Sequence, residues 1–67
     1  MPKQERSRAL VDVLLEATAR ILQTDGAEKL STNAIARVAG VSVGSLYQYF
    51  PDKEAVVAAL IERKVEL

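Results

Sequence analysis

Apolar residues recur every three or four positions along most of the chain, which is the spacing of one face of a helix. The first such run predicts an amphipathic helix over about residues 8–24, with charged side chains on the opposite face. Ser7 could cap its start, and Gly26 follows at a position where helices commonly end. The segment GAEKL (26–30) predicts a short connector, with Leu30 anchored in the core.

Two shorter helical patterns follow, at about residues 32–39 and 43–49. Gly40 lies just after the first of them, and only Val41 and Ser42 separate it from the second. A turn this tight usually needs a residue at positive φ, which glycine adopts without strain. Two short helices joined in this way predict a helix-turn-helix unit, whose second helix is presented to a groove of DNA.

Residues with side-chain oxygens stand where these helices should begin. Ser31 or Thr32 could supply the N-cap of the 32–39 helix, and Ser42 could supply that of the next. Pro51 should stop the third helix, because proline disfavours helical geometry in the residue before it. Asp52 should then cap a fourth helix.

The fourth helical pattern occupies about residues 53–67. Its sequence ends in ERKVEL, which contains no glycine, proline or asparagine to stop the helix. We therefore expect one domain, 1–67, that is part of a longer protein. The predicted fold is all-α: a small bundle of three helices with a helix-turn-helix, plus the start of a fourth helix leading to a missing C-terminal domain.

The composition excludes several classes of function, because the 67 residues include no cysteine and no histidine. Disulfides, thiolate metal sites and imidazole bases are therefore excluded. The carboxylates are scattered over exposed helix faces, so no convergent acid–base pair can form, and we predict neither an enzyme nor a cofactor. The start is polar and no apolar run approaches the roughly 20 residues of a membrane span, which predicts a cytoplasmic protein with no membrane partner.

Charge is zero overall but unevenly distributed. Residues 1–8 and 29–53 each carry +2, whereas residues 9–28 carry −3 and residues 54–67 carry −1. Local charge steers binding more than the total does, so the two basic segments are compatible with a nucleic-acid partner.

The segment AGVSVGSLYQYF (39–50) contains every aromatic side chain of the protein. Gly44 lies within the predicted third helix, where glycine costs up to about 1 kcal/mol relative to alanine. A close approach to a ligand surface would offset that cost. Small residues at the start of this helix and hydroxyl or phenol donors along it suit contact with a DNA backbone.

The segment TNAIARVAGVSVGSLYQYFPDKEAVVAAL (32–60) closely resembles the N-terminal DNA-binding domain of TetR-family (tetracycline-repressor-like) transcriptional regulators. The resemblance covers roughly residues 10–62. The chain departs from the family at Leu22, where phenylalanine is common, and at Val43, where many members carry a polar residue.

This resemblance implies a ligand-responsive regulator, most often a repressor, that binds a palindromic double-stranded DNA operator as a homodimer. The absent C-terminal domain would bind a small-molecule ligand, dimerise and, through the fourth helix, change the spacing of the paired recognition helices. Carried onto this sequence, the resemblance predicts DNA contacts from Thr32, Asn33, Ser42, Val43, Gly44, Ser45, Tyr47, Gln48, Tyr49 and Lys53.

Roles differ within that set. Thr32 and Asn33 would meet phosphates or a base edge, and Val43, Gly44, Ser45 and Gln48 would face the major groove. Tyr47, Tyr49 and Lys53 would hold the phosphate backbone. The amide of Gln48 suits adenine, and Lys53, unfavourable at a helix N-terminus, should have a phosphate partner.

Plainer interpretations stay open for several of these side chains. Ser42 is foremost a helix cap, and Tyr47 could belong to the core, as Phe50 is expected to. A different class of function is also open, a helical protein-interaction module that docks through the apolar stripe of the fourth helix. That stripe comprises Val56, Val57, Leu60 and Ile61.

Overall fold

The computed structural model of the protein describes the backbone of residues 2–65 and the side chains of residues 8–63. Over that range its regular secondary structure is entirely helical and contains no strand, which confirms the predicted all-α class. The elements are α1 (Pro2–Thr24), a 3₁₀ turn (Ala27–Lys29), α2 (Thr32–Ala39), α3 (Val43–Tyr47) and α4 (Lys53–Val65).

The core lies where α1 packs against both α2 and α4, while α3 packs against α2. Every element except the 3₁₀ turn contributes buried side chains to it. Full burial of one such aliphatic side chain is worth about 1.5–3 kcal/mol. The buried apolar residues are Leu14, Leu15, Ala17, Ile21, Leu30, Ile35, Ala36, Leu46, Val56 and Leu60.

Thr18 is a polar residue within this core. Its Oγ1 donates a hydrogen bond of 2.9 Å to the carbonyl oxygen of Leu14, one turn earlier in α1. The buried hydroxyl is therefore satisfied by its own helix and does not need a partner from another element.

The predicted start of α1 near residue 8 was wrong. The helix begins at Pro2, so Ser7 lies inside it instead of capping it. Proline fits the first turn of a helix because its missing N–H has no intrahelical acceptor there. The following residues, KQER, are good helix formers, so the basic segment continues the helix.

The third helix is shorter than the predicted 43–49 and ends at Tyr47. Its end tightens, because the N–H groups of Gln48 and Tyr49 bond to the carbonyls of Ser45 and Leu46, three residues earlier, at 3.2 and 3.0 Å. Helices often close with such tighter bonds. Pro51 is thus not the residue that stops the helix.

The fourth helix begins at Lys53, as predicted, and its last described residue is Val65; residues 66 and 67 of the expected range lie outside the described residues. The Oδ1 of Asp52 accepts a 2.9 Å bond from the N–H of Ala55, which is the predicted cap. Near its other end, Arg63 forms an ion pair with Asp12 of α1.

The apolar stripe of α4 is mostly part of the core. Val56 and Leu60 are buried and Val57 is partly buried, whereas Ile61 remains 56% exposed. Packing of the domain therefore accounts for three of these four side chains. Within residues 2–65, no helix is both long and apolar enough to cross a membrane.

Gly40 forms the turn between α2 and α3 at a φ of 78°. Its N–H bonds to the carbonyl of Arg37 at 3.2 Å, and the N–H of Val41 bonds to that of Ala36 at 3.0 Å. This pair of bonds, with an apolar residue after the glycine, is the Schellman motif that closes many helices. Val41 packs against the core, so the motif also sets the direction in which the chain enters α3.

Replacing Gly40 of the turn and Gly44 of α3 by alanine, one at a time, should separate the effect of a positive φ from that of glycine in a helix. Gly40→Ala should lower the free energy of unfolding by about 1–2 kcal/mol, because alanine resists the left-handed conformation. No atom lies within 4 Å of the Cβ that alanine would add there. Gly44 has ordinary helical geometry and only Ser42 Oγ nearby, 3.9 Å from an added Cβ. Gly44→Ala should therefore raise stability, by up to about 1 kcal/mol.

Urea unfolding followed by circular dichroism measures both effects. Equal changes in the two variants, or a stabilised Gly40→Ala protein, would contradict this account of the turn.

Candidate nucleic-acid interface

Serine caps fix where α2 and α3 begin. The Oγ of Ser31 accepts a 3.0 Å bond from the N–H of Ala34, so Ser31 and not Thr32 is the cap of α2. The Oγ of Ser42 accepts a 3.1 Å bond from the N–H of Ser45 in the same way. Thr32 is therefore the first helical residue of α2, and its hydroxyl is not needed for the cap.

Ser42, the cap of α3, and Ser45 within that helix are also joined through their side chains. Ser42 Oγ donates to Ser45 Oγ at 3.0 Å while it accepts from the backbone. The hydroxyl of Ser42 thus acts as both a donor and an acceptor within the protein. Ser45 Oγ accepts in this bond, so the bond does not use the hydrogen of the Ser45 hydroxyl.

A third contact joins the two helices of the helix-turn-helix. Thr32 Oγ1 and Tyr47 Oη lie 2.9 Å apart, and either oxygen could be the donor. Thr32 is the first residue of α2 and Tyr47 is the last of α3. The bond therefore brings together two predicted contact residues from opposite ends of the unit.

Lys53 has a partner within the protein. Its Nζ donates a 3.2 Å bond to the carbonyl oxygen of Leu30, which directly precedes the cap of α2. The bond ties the start of α4 to the start of α2 and places a positive charge beside them. Because an ammonium group has three donors, one bond to a carbonyl leaves two for other acceptors.

The ten predicted contact residues differ in exposure, and none is buried. Exposed residues are Asn33, Ser42, Gly44, Tyr47, Gln48 and Tyr49. Partly buried residues are Thr32, Val43, Ser45 and Lys53.

Leu46 explains this division, because its side chain is 0% exposed and holds one face of α3 against the core. Val43 also packs partly against that core, as does Phe50 beyond the helix. The other face is left outward, with Gly44 at its start, Tyr47 50% exposed and Gln48 following the helix.

The structure thus joins some of the predicted residues and leaves others apart. Thr32 with Tyr47 and Ser42 with Ser45 form hydrogen-bonded pairs, and Lys53 bonds next to the start of α2. Sequence reasoning missed the carbonyl of Leu30 as a partner of Lys53. No sequence signal could have shown it, because a backbone acceptor 23 residues away has no characteristic residue type.

These elements define a helix-turn-helix domain with a polar, hydroxyl-lined outer face. The sequence profile described as "Bacterial regulatory proteins, tetR family" matches residues 14–60. The chain belongs to this family and is a TetR-type DNA-binding domain of a transcriptional regulator. The family consists of DNA-binding regulators that are not enzymes.

Individual relatives agree with this assignment. The chain is 39% identical over 66 residues to the nucleoid occlusion factor SlmA of Actinobacillus pleuropneumoniae, covering 94% of this chain and 31% of that protein. For SlmA of Marinobacter nauticus, identity is 36% over 62 residues, covering 92% and 31%. The crystal structure of a TetR-family transcriptional regulator from Haemophilus influenzae superposes with a TM-score of 0.84 at 27% identity, covering 90% of this chain and 33% of that one. The chain thus spans about a third of the length of these relatives.

The bond from Lys53 to Leu30 predicts a stability effect that does not require DNA. Lys53→Met keeps most of the aliphatic stem but leaves the carbonyl without its donor, which should cost about 1 kcal/mol of unfolding free energy. Lys29→Met is the matched control, since Lys29 is exposed and a surface substitution should change stability by less than about 0.5 kcal/mol. Urea unfolding without DNA measures both, and equal stability of the two variants would show that the bond contributes nothing.

Proposed function

We propose that this domain binds double-stranded DNA sequence-specifically, with α3 in the major groove. The observation that carries this proposal is the outward face of α3, which is kept clear of the core by the burial of Leu46. An exposed Gly44 at the start of that face lets the helix backbone come close to a duplex. The name of the SlmA relatives, nucleoid occlusion factor, also refers to the DNA-containing nucleoid.

Phosphate contacts position the domain on the duplex. The N–H groups of Thr32 and Asn33 lie in the first turn of α2, where they have no intrahelical acceptor and can donate to a phosphate oxygen. The hydroxyls of the Thr32–Tyr47 pair lie at the same start of α2, and Tyr49 extends the contact beyond α3. Lys53 provides a positive charge through the donors that Leu30 does not use.

Base recognition falls to the residues along α3. Gln48 is exposed directly after the helix, and its amide can form two hydrogen bonds with adenine. Ser45 has a hydroxyl hydrogen to offer, whereas Ser42 contributes mainly by capping the helix. Val43 can present only the part of its side chain that the core leaves uncovered, which suits an apolar contact such as a thymine methyl group.

Regulation would follow from a second domain. Two copies of the chain bind a palindromic operator, with half-sites about 34–36 Å apart. A C-terminal domain dimerises them and binds a small-molecule ligand, and α4 transmits that signal, so that the protein acts as a cytoplasmic repressor. The length of the relatives, about three times that of this chain, supports a further domain.

Titration of a fluorescent duplex between 50 and 200 mM salt tests DNA binding. The duplex is first selected from a random pool. Affinity should fall steeply with salt, because each neutralised phosphate contributes about 0.9 to the slope of log K against log salt. Lys53→Met should weaken binding to all sequences alike and reduce that slope by about 1. Lys29→Met again serves as the control.

The same titration tests whether two copies of the chain bind a palindromic duplex. A palindromic duplex should bind two copies of the chain, whereas a duplex with one half-site should bind one. An affinity that does not depend on salt, or an absence of any selected sequence, would refute DNA binding as the function.

A further inference from the structure

The contact between Thr32 and Tyr47 limits what this part of the surface can donate. Each residue has one hydroxyl hydrogen, and the 2.9 Å separation of the two oxygens places one hydrogen between them. Only one hydroxyl hydrogen then remains for a bound phosphate. Two independent phosphate contacts from these side chains are therefore incompatible with the bond.

The two side chains differ in burial and in reach. Thr32 is partly buried and short, whereas Tyr47 is 50% exposed and its phenol ends farther from the backbone. The distance allows either oxygen to donate, and these differences favour the order in which Thr32 Oγ1 donates to Tyr47 Oη and the Tyr47 hydroxyl donates to solvent or ligand. A hydroxyl that already accepts a hydrogen bond is also polarised into a stronger donor.

We propose that Thr32 is a positioning residue for Tyr47, and that the two side chains act as one phosphate donor. This inference rests on the proposed DNA-binding function. Thr32 holds the phenol in the direction that a phosphate oxygen requires, so the side chain is ordered before DNA arrives. Ordering in advance removes an entropy cost that binding would otherwise have to meet.

The bond also connects two helices that are separate in sequence. It joins residues 15 positions apart, at the start of α2 and at the end of α3. A phosphate bound by Tyr47 is therefore positioned relative to both α2 and α3. Loss of either hydroxyl should disrupt the same contact, and this expectation can be measured.

A double-mutant cycle on DNA affinity tests the inference. Tyr47→Phe and Thr32→Val should each weaken binding of the selected duplex by about 10–150-fold, the range for one hydrogen bond to a charged group. The double variant should lie within about twofold of the weaker single variant, because both changes remove one contact. Thr32→Ser keeps a hydroxyl and should restore affinity to within about twofold of the parent protein.

Two controls make the cycle specific. Ser45→Ala combined with Tyr47→Phe should give the product of the two separate effects, because these side chains are not hydrogen-bonded to each other in the structure. The salt dependence should stay unchanged in all these variants, since no charge is removed. Circular dichroism verifies that each variant is folded, and Thr32→Ala replaces Thr32→Val if the latter unfolds.

The outcomes separate this inference from the proposed function. Failure of the parent protein to bind DNA would overturn both. If the parent binds and the effects of Thr32→Val and Tyr47→Phe multiply, or exceed their product, the hydroxyls act separately and the inference fails while DNA binding stands. The inference also fails if neither single change weakens binding.

Discussion

The geometry of the interface depends on the burial of one side chain, Leu46. Helix α3 has only five residues, and a helix of that length is not stable by itself in water. Its orientation is therefore determined by what it packs against. Because Leu46 is fully buried, the opposite face of the helix must point away from the core. The turn at Gly40, with the backbone bonds of Gly40 and Val41, brings the chain into the position from which Leu46 can reach that core.

Around this anchor, the polar side chains divide into those that build the structure and those that remain for a partner. Ser31, Ser42 and Asp52 cap α2, α3 and α4, so their oxygens have internal acceptor roles. The bond from Lys53 to Leu30 uses part of the capacity of that ammonium group. An inventory of donors that treats each of these groups as available to DNA would therefore count too many.

Much of the fold could be predicted from the sequence, because helix caps and glycine turns depend on local residue types. The caps formed by Asp52 and Ser42 are bonds within a few residues, and the positive φ of Gly40 depends on the residue type at that one position. The start of α1 at Pro2 was missed because the prediction relied on the apolar pattern, which begins only after these polar, helix-forming residues. The end of α3 at Tyr47 was missed because its last turn tightens before Pro51 is reached.

The full set of predicted contact residues came from the family resemblance, added to the small, hydroxyl and phenol side chains of α3 that the sequence itself indicated, whereas their mutual arrangement came only from the structure. The bonds Thr32–Tyr47 and Lys53–Leu30 connect residues 15 and 23 positions apart. Such contacts depend on how helices pack, and no local pattern encodes them. They change the interpretation of these residues, because Lys53 and Thr32 each have a structural partner besides any phosphate.

The most direct measurement is the change in backbone amide NMR signals of the protein when a selected duplex is added. If the outer face of the helix-turn-helix binds DNA, the largest changes should fall at residues 32–33 and 42–53. The α1–α4 face around Asp12 and Arg63 should change little. Changes concentrated around Asp12 and Arg63, with the signals of α3 unaffected, would contradict the account.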